Sequence, residues 1–202
     1  MRKSYKIILL GNTSVGKSSI IYKYVTDGVE RLEPTIGIDS FTSNAKIQTK
    51  EGEKQVKLHI WDTAGQERYR ALVTFYLRNS FLAIIVYSIN DPKSFEDLKY
   101  WVESYRNING SNNNIIIVAN KRDLRSNTLG NQEYINDESG LEYAKSINAT
   151  FCTTSVYEKD DIEKLFNALK ELINKDIEMN PKLEDGSNSM ININASEKRS
   201  CC

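Results

Sequence analysis

Cysteine is scarce in this sequence. The chain of 202 residues has three, of which Cys152 lies in an apolar run while Cys201 and Cys202 are adjacent at its end. Three cysteines with this spacing exclude a disulfide framework of the kind that holds small secreted domains together. The sequence therefore favours a reducing, cytosolic compartment.

An excess of charge and a long apolar run are also missing. Lys plus Arg and Asp plus Glu number 27 each, so the formal net charge is zero and nucleic acid is not an expected partner. No run of 18 apolar residues is present, so no helix is expected to span a membrane. Residues 1–5 lead directly into an apolar segment, which leaves no room for a signal peptide. The length predicts one domain with a sizeable core.

What the sequence does contain is a phosphate-binding pattern. Residues 11–18, GNTSVGKS, match G-x-x-x-x-G-K-[ST] between an apolar run at 6–10 and a segment with a helical apolar face. That face consists of Ile20, Ile21, Tyr24 and Val25. Backbone N–H groups of such a loop form an anion site at a helix N-terminus. The predicted phosphate-binding residues are Thr13, Ser14, Val15, Gly16, Lys17, Ser18 and Ser19. The loop alone does not distinguish ATP from GTP.

Apolar segments alternate with helical patterns along the remaining chain. Residues 41–49 and 55–61 predict an antiparallel hairpin, while residues 81–87, 115–119 and 149–154 predict further strands. Helices are predicted at 92–108, at 138–147 and around the apolar stripe of 162–173; residues 67–80 are mixed in character. This alternation predicts a doubly wound, mostly parallel sheet.

Polar segments follow four of the predicted strands. The Gly11 loop, Asp62, Asn120 and Ser155 each come after a strand, so they are expected to meet where such sheets bind ligands. Asp62 is placed to hold Mg²⁺, directly or through water. The carboxylate of Asp123 can accept from the ring N–H and the amine of guanine together, whereas adenine would leave it unpaired.

These motifs, in this order, resemble the Ras-like small GTPases over about residues 5–178. The resemblance is carried by residues 11–18, Thr35, residues 62–66, residues 120–123 and Thr154-Ser155. Residues 36–39, residues 61–69 and the terminal cysteine pair resemble the Rab branch. The resemblance implies an α/β P-loop NTPase fold with a mostly parallel six-stranded sheet, one antiparallel strand and helices on both faces. It implies a GTP/GDP switch that hydrolyses GTP slowly with Mg²⁺ and regulates vesicle trafficking.

The resemblance also implies roles for single residues. Gln66 would orient the attacking water, and the N–H of Gly65 would bind the γ-phosphate. Thr35 would close over Mg²⁺ and the γ-phosphate, so that the expected metal ligands are Ser18, Thr35 and Asp62. The expected base-binding residues are Asn120, Lys121, Asp123, Ser155 and Val156, with the N–H of Val156 donating to guanine.

The end of the chain implies a membrane anchor. Residues 1–178 are predicted to form the GTPase domain, and the polar residues 179–202 a disordered tail. The resemblance implies that Cys201 and Cys202 carry prenyl groups, which would hold the protein on the cytosolic face of intracellular membranes while it cycles with the cytosol. Implied partners are an exchange factor, a GTPase-activating protein, prenylation and escort machinery, a dissociation inhibitor, and effectors that contact the switch regions near Trp61 and Tyr76. A monomer is expected.

The sequence departs from the family pattern in three places. No aromatic residue lies between Tyr24 and Phe41, where the family has one beside guanine, and Val156-Tyr157 replaces Ala-Lys. Ser40 takes the place of a phenylalanine that comes one residue later, on the other face of a strand. These departures keep a second hypothesis open, a guanine-nucleotide-dependent scaffold with little hydrolysis. An ATP-using kinase is disfavoured by residues 120–123.

Overall fold

The computed structural model describes residues 3–28, 35, 37–65, 70–111, 113–126 and 134–180. Their centre is a six-stranded sheet with the strand order β2-β3-β1-β4-β5-β6. The strands are β1 (Ser4–Leu10), β2 (Ile38–Thr49), β3 (Gly52–Thr63), β4 (Leu82–Ser88), β5 (Asn114–Asn120) and β6 (Thr150–Thr154). Only β2 and β3 pair antiparallel; the other pairs are parallel. The predicted sheet is confirmed.

Helices cover both faces of this sheet. They are α1 (Lys17–Thr26), α2 (Arg70–Leu77), α3 (Pro92–Glu96), α4 (Leu98–Asn109), α5 (Asp137–Ser146) and α6 (Lys159–Met179), with a short 3-10 helix at Arg122–Ser126. None of the helices in the described ranges is long and apolar enough to cross a membrane.

Strand β1 shows how the two faces are built. Successive side chains of a strand point to opposite faces, so Ile7 and Leu9 join α1 and α6 in one core cluster. Ile8 and Leu10 join α2, α4 and α5 in the other. The predicted stripe of α6 lies in the first cluster. Because both faces are packed, the C-terminal ends of the strands are left to form a site.

The structure differs from the sequence-based prediction at several elements and boundaries. Residues 67–80 contain α2, whose Val73 and Leu77 are buried one helical turn apart. The predicted helix 92–108 is two helices, α3 and α4, which meet at Asp97. Strand β2 begins at Ile38, three residues earlier than predicted. Helix α6 includes Met179, which the sequence assigned to the tail.

Val25 was placed wrongly in the apolar face of α1. Its side chain is 46% exposed, while Ile20 and Ile21 are fully buried. The ring of Tyr24 stacks on Phe166 with centroids 3.5 Å apart and so takes the contact with α6. Val25 lies in the last turn of α1, beyond that contact, and its side chain therefore stays at the surface.

Candidate functional site

The phosphate loop joins β1 to α1 through a backbone that requires glycine. Gly16 caps α1 with a φ of +100°, and a Cβ atom there would collide with the side-chain amide of Asn120. Residues 13–15 precede it, and Ser18 and Ser19 follow in the first turn of α1. Val15 is buried, so its side chain serves the core and only its backbone is available to a ligand.

Lys17 is held over this loop. Its Nζ donates to the carbonyl oxygens of Gly11 at 2.8 Å and Asn12 at 2.7 Å. Burial lowers the pKa of Lys17 to about 8, and the Asp62 carboxylate opposes that shift. The ammonium group therefore lies inside the site with its charge poorly solvated, which favours an anionic ligand.

Asn12 is a loop residue whose role the sequence did not reveal. Its amide donates to Asp97 at 2.9 Å, and its oxygen accepts from the indole N–H of Trp101 at 2.9 Å. The phosphate loop is thereby fixed to α4. Nothing local in the sequence indicates this contact, because 85 and 89 residues separate the partners.

Two hydroxyl groups and a carboxylate meet beside the loop. The Oγ of Ser18 lies 2.8 Å from the Oγ1 of Thr35 and donates to Asp62, while Thr35 donates to the same Asp62 oxygen at 3.1 Å. The other oxygen of Asp62, Oδ1, is buried and has no hydrogen-bond partner among the described residues. Burial raises the pKa of Asp62, against the hydrogen bond from Ser18 and the charge of Lys17.

This cluster fits a magnesium ion. Mg²⁺ is bound by oxygen ligands, often by one or two carboxylates together with substrate phosphates. The unpartnered oxygen of Asp62 would gain a partner, and the hydroxyl groups of Ser18 and Thr35 lie on the same side of the loop.

Gly65 brings the segment after β3 against the phosphate loop. A Cβ atom at this position would collide with the backbone of Asn12 and Thr13, so only glycine allows the approach. The N–H of Gly65 is thus carried to the loop. Gln66, predicted as the catalytic residue, lies outside the described residues.

Asn120 joins three parts of the site. It ends β5, its amide donates to the carbonyl oxygen of Val15 at 2.8 Å, and its oxygen accepts from the Oγ1 of Thr154 at 2.9 Å. All of these atoms are buried. One side chain therefore connects the phosphate loop with the ends of β5 and β6.

The predicted base-reading residues lie together beyond Asn120. Ser155 donates its hydroxyl proton to Asp123 at 2.6 Å, and the N–H of Tyr157 donates to the same hydroxyl oxygen at 3.2 Å. Lys121 has a φ of +65° and is half-buried, which lowers its pKa. Val156 packs against the core, so its backbone is the part turned to the site.

A buried carboxylate supports this arrangement. Asp161, in the first turn of α6, accepts from the Nε of Arg122 and from the N–H of Ser155 at 3.1 Å. Asp161 is 3% exposed. No local pattern in the sequence predicts this pair, because 39 positions separate Arg122 and Asp161.

Trp61 and Tyr76 form a separate surface next to the site. Their rings are 5.3 Å apart, and both residues are partly buried at the edge of the second core cluster. Ser40 lies opposite Trp61 in the hairpin, whereas Phe41 lies opposite Ile60 and packs on the first cluster. The one-residue shift of the phenylalanine has thus moved it from this surface to the core face.

Comparison with known proteins gives consistent matches. The model of the Ras family matches residues 6–175. The chain is 37% identical to Ras-related protein RabC of Dictyostelium discoideum over 203 residues, which cover 98% of this chain and 97% of that protein. It is 38% identical to Ras-related protein Rab-22A of Mus musculus over 205 residues, with coverages of 99% and 98%.

Proposed function

The chain belongs to the Ras family of small GTPases, as a member of its Rab type, and from this we propose how its residues bind, read and release guanine nucleotide. It is a GTP hydrolase that acts in membrane trafficking. This membership favours a hydrolysing switch over the scaffold hypothesis.

The phosphates of the nucleotide lie in the loop of residues 13–19. Backbone N–H groups at the start of α1 donate to phosphate oxygens, and the dipole of α1 adds to their attraction. Lys17 gives up its bonds to the carbonyl oxygens of Gly11 and Asn12 and turns to the β- and γ-phosphates. That exchange of partners is favourable because a charged acceptor replaces two neutral ones.

Ser18, Thr35 and Asp62 hold the magnesium ion. Their three side chains already meet, so few changes of rotamer are needed. Bound there, Mg²⁺ neutralises charge on the phosphate oxygens. Thr35 and Gly65 contact the γ-phosphate only while GTP is bound, and hydrolysis releases both segments. Gln66 orients the water that attacks.

Asp123 selects guanine. Its carboxylate is held by the hydroxyl group of Ser155 and accepts from the ring N–H and the amine of the base. The N–H of Val156 donates to the guanine oxygen, and the stem of Lys121 covers one face. The observation that carries the proposal is the chain of hydrogen bonds from Val15 through Asn120 to Thr154, which fixes the base site at a set distance from the phosphate loop.

Membrane attachment and regulation follow from the family. Two prenyl groups on Cys201 and Cys202 anchor the protein to the cytosolic face of an intracellular membrane, from which a dissociation inhibitor returns it to the cytosol. Escort machinery delivers it. An exchange factor and a GTPase-activating protein set the nucleotide state. Effectors contact the surface around Trp61 and Tyr76, where Ser40 replaces an aromatic ring.

The proposal is tested by nucleotide competition. The wild-type chain should bind GDP and GTP in preference to ATP, and Asp123→Asn should lose about 1–3 kcal/mol of guanine binding because an acceptor becomes a donor. Asp160→Asn is the matched control, since Asp160 is an exposed carboxylate of α6. Full preference for GTP in the Asp123→Asn variant would contradict the assignment.

A further inference from the structure

The ring of Tyr157 stands free beside the base site. Its side chain is 68% exposed, and in the described ranges it makes no stacking contact with another aromatic ring. We propose that Tyr157 forms one wall of the base slot and packs against guanine, opposite the stem of Lys121. This inference rests on the proposed function and deepens it.

The backbone of Tyr157 is anchored to the residue that reads the base. Its N–H donates to the Oγ of Ser155 at 3.2 Å, and that hydroxyl group donates to Asp123 at 2.6 Å. Val156, one residue earlier, packs against the first core cluster. The ring is therefore carried by a fixed turn, two hydrogen bonds away from the Asp123 carboxylate.

A guanine base needs more than the contact along its edge. Asp123 can bind only the edge of the ring, which leaves both flat faces in water unless the protein covers them. Aromatic side chains commonly cover the faces of bases, and loss of one costs about 1–3 kcal/mol per base. Lys121 is half-buried beside Asp123 and has a stem that can cover one face.

The chain between α1 and β2 contains no ring that could take this place. No aromatic residue lies between Tyr24 and Phe41, and the ring of Tyr24 is already stacked on Phe166. Phe41 is packed against the first core cluster. Tyr157 is thus the aromatic residue of the described chain that directly adjoins the Ser155 turn and has an unpacked face.

An ion pair places the beginning of that segment next to Tyr157. The Nζ of Lys159 lies 2.7 Å from Asp27 at the end of α1, so Gly28 is held close to the turn that bears Tyr157. The described end of α1 therefore brings no ring to this turn.

The dissociation rate of N-methylanthraniloyl-GDP from the full chain, chased with excess GDP in the presence of Mg²⁺, tests the inference. Tyr157→Ala should release the nucleotide about tenfold faster, within the range of about 5- to 150-fold that corresponds to the loss of one stacked ring. Tyr157→Phe keeps the ring and should behave as wild type. Leu141→Ala removes an exposed apolar side chain of α5 and should change nothing.

A ligand without a base shows whether the ring acts at the base. Ribose 5-diphosphate, which has no base, should displace the labelled nucleotide equally well from Tyr157→Ala and from Tyr157→Phe, once their GDP affinities are taken into account.

The outcomes distinguish a failure of the proposed function from a failure of the inference about Tyr157. If the wild-type chain binds no guanine nucleotide, the proposed function fails and this inference with it. If the wild-type chain binds GDP but the Tyr157→Ala variant releases GDP at the wild-type rate, the proposed function stands. The proposal that Tyr157 packs against guanine is then wrong. Unequal displacement by ribose 5-diphosphate, after correction for the GDP affinities, would likewise overturn the inference.

Discussion

Single side chains decide how well the base site is ordered, and Asp161 is the strongest case. This buried carboxylate accepts from Arg122 and from the N–H of Ser155. Removing its charge leaves the guanidinium group of Arg122 without an anionic partner, and a neutral amide oxygen holds the turn less strongly. The same turn carries Val156 and Tyr157, and its Ser155 bonds to Asp123, so the proposed contacts with the base depend on it.

Asp161→Asn should therefore lower the free energy of unfolding by about 1–3 kcal/mol, the cost of a buried polar group that loses its charged partner. We expect no larger loss of free energy of unfolding, because the side chain of Arg122 is 42% exposed and water can solvate it. Chemical denaturation measures the change. Asp160→Asn, on the exposed side of the same turn, should match wild type, and equal values for both variants would contradict the role of Asp161.

Cys152 gives a prediction with a defined pH dependence. Burial raises the pKa of its thiol to about 11, with the charge of Glu171 adding to the shift. Because the thiolate is the reactive form, a raised pKa means that reactivity appears only at higher pH. In a Cys201→Ser, Cys202→Ser background, alkylation at pH 8 should be about 100-fold slower than for a free cysteine.

The rate of that alkylation should rise about tenfold per pH unit up to about pH 10, since the thiolate fraction does. Mass spectrometry after timed quenching gives the rate, and circular dichroism at each pH shows that the chain is folded. A midpoint near the ordinary thiol value would contradict the burial of Cys152.

The sequence predicted those site residues that belong to a short motif. Gly16 and Lys17 belong to a short pattern whose chemistry depends on neighbours a few positions away. Asn120 was predicted as part of a recognisable four-residue motif, although its partners Val15 and Thr154 lie 105 and 34 positions away. Asn12, Asp97 and Asp161 were missed, because their partners are brought near only by the order of the strands and helices.

Among the elements, strands were easier to predict than helix boundaries. Both faces of β4 are covered, so it appears as one apolar run, and the alternation in β3 marks its buried face. Helix α2 was missed; in the part of it whose burial is described, residues 73–77, the fully buried apolar side chains are Val73 and Leu77. The break between α3 and α4 comes at Asp97, whose carboxylate accepts from Asn12 in a distant loop.

Helix α6 stabilises the fold through the stripe that the sequence did reveal. Leu169 is fully buried in the first core cluster, in the middle of that stripe. Leu169→Ala should lower the free energy of unfolding by about 2–5 kcal/mol, because the removed methyl groups leave a cavity. Thermal or chemical denaturation measures this loss.

Lys164→Ala provides the control on the opposite side of α6, where the side chain is exposed. It should stay within about 0.5 kcal/mol of wild type. If the two substitutions cost the same, α6 does not pack on the sheet through the face described.

At the scale of the whole molecule, attachment to a membrane needs an explanation, because the described part of the chain has no helix that could span one. One lipid chain gives only marginal, reversible binding, whereas two give stable anchoring. Residues 182–199 cannot replace a chain by charge, since Lys182, Lys198 and Arg199 are balanced by Glu184, Asp185 and Glu197.

Cys201→Ser together with Cys202→Ser should therefore move the protein from the membrane to the soluble fraction of cells, with GDP binding unchanged. Each single substitution should give partial, readily washed association. Fractionation and immunoblotting measure the distribution. Unchanged membrane binding of the double variant would show that the anchor lies elsewhere in the chain.

The central claim is that the loops at the C-terminal ends of the strands form a GTP/GDP switch. Its GTP-bound state ends when water oriented by Gln66 hydrolyses GTP. Single-turnover hydrolysis of bound GTP with Mg²⁺, in wild type and in Gln66→Leu, tests it most directly. We predict slow hydrolysis in wild type and equal GTP binding in the variant. The rate of Gln66→Leu should fall about tenfold or more, because the attacking water is no longer positioned. Equal hydrolysis rates in the two proteins would contradict the account.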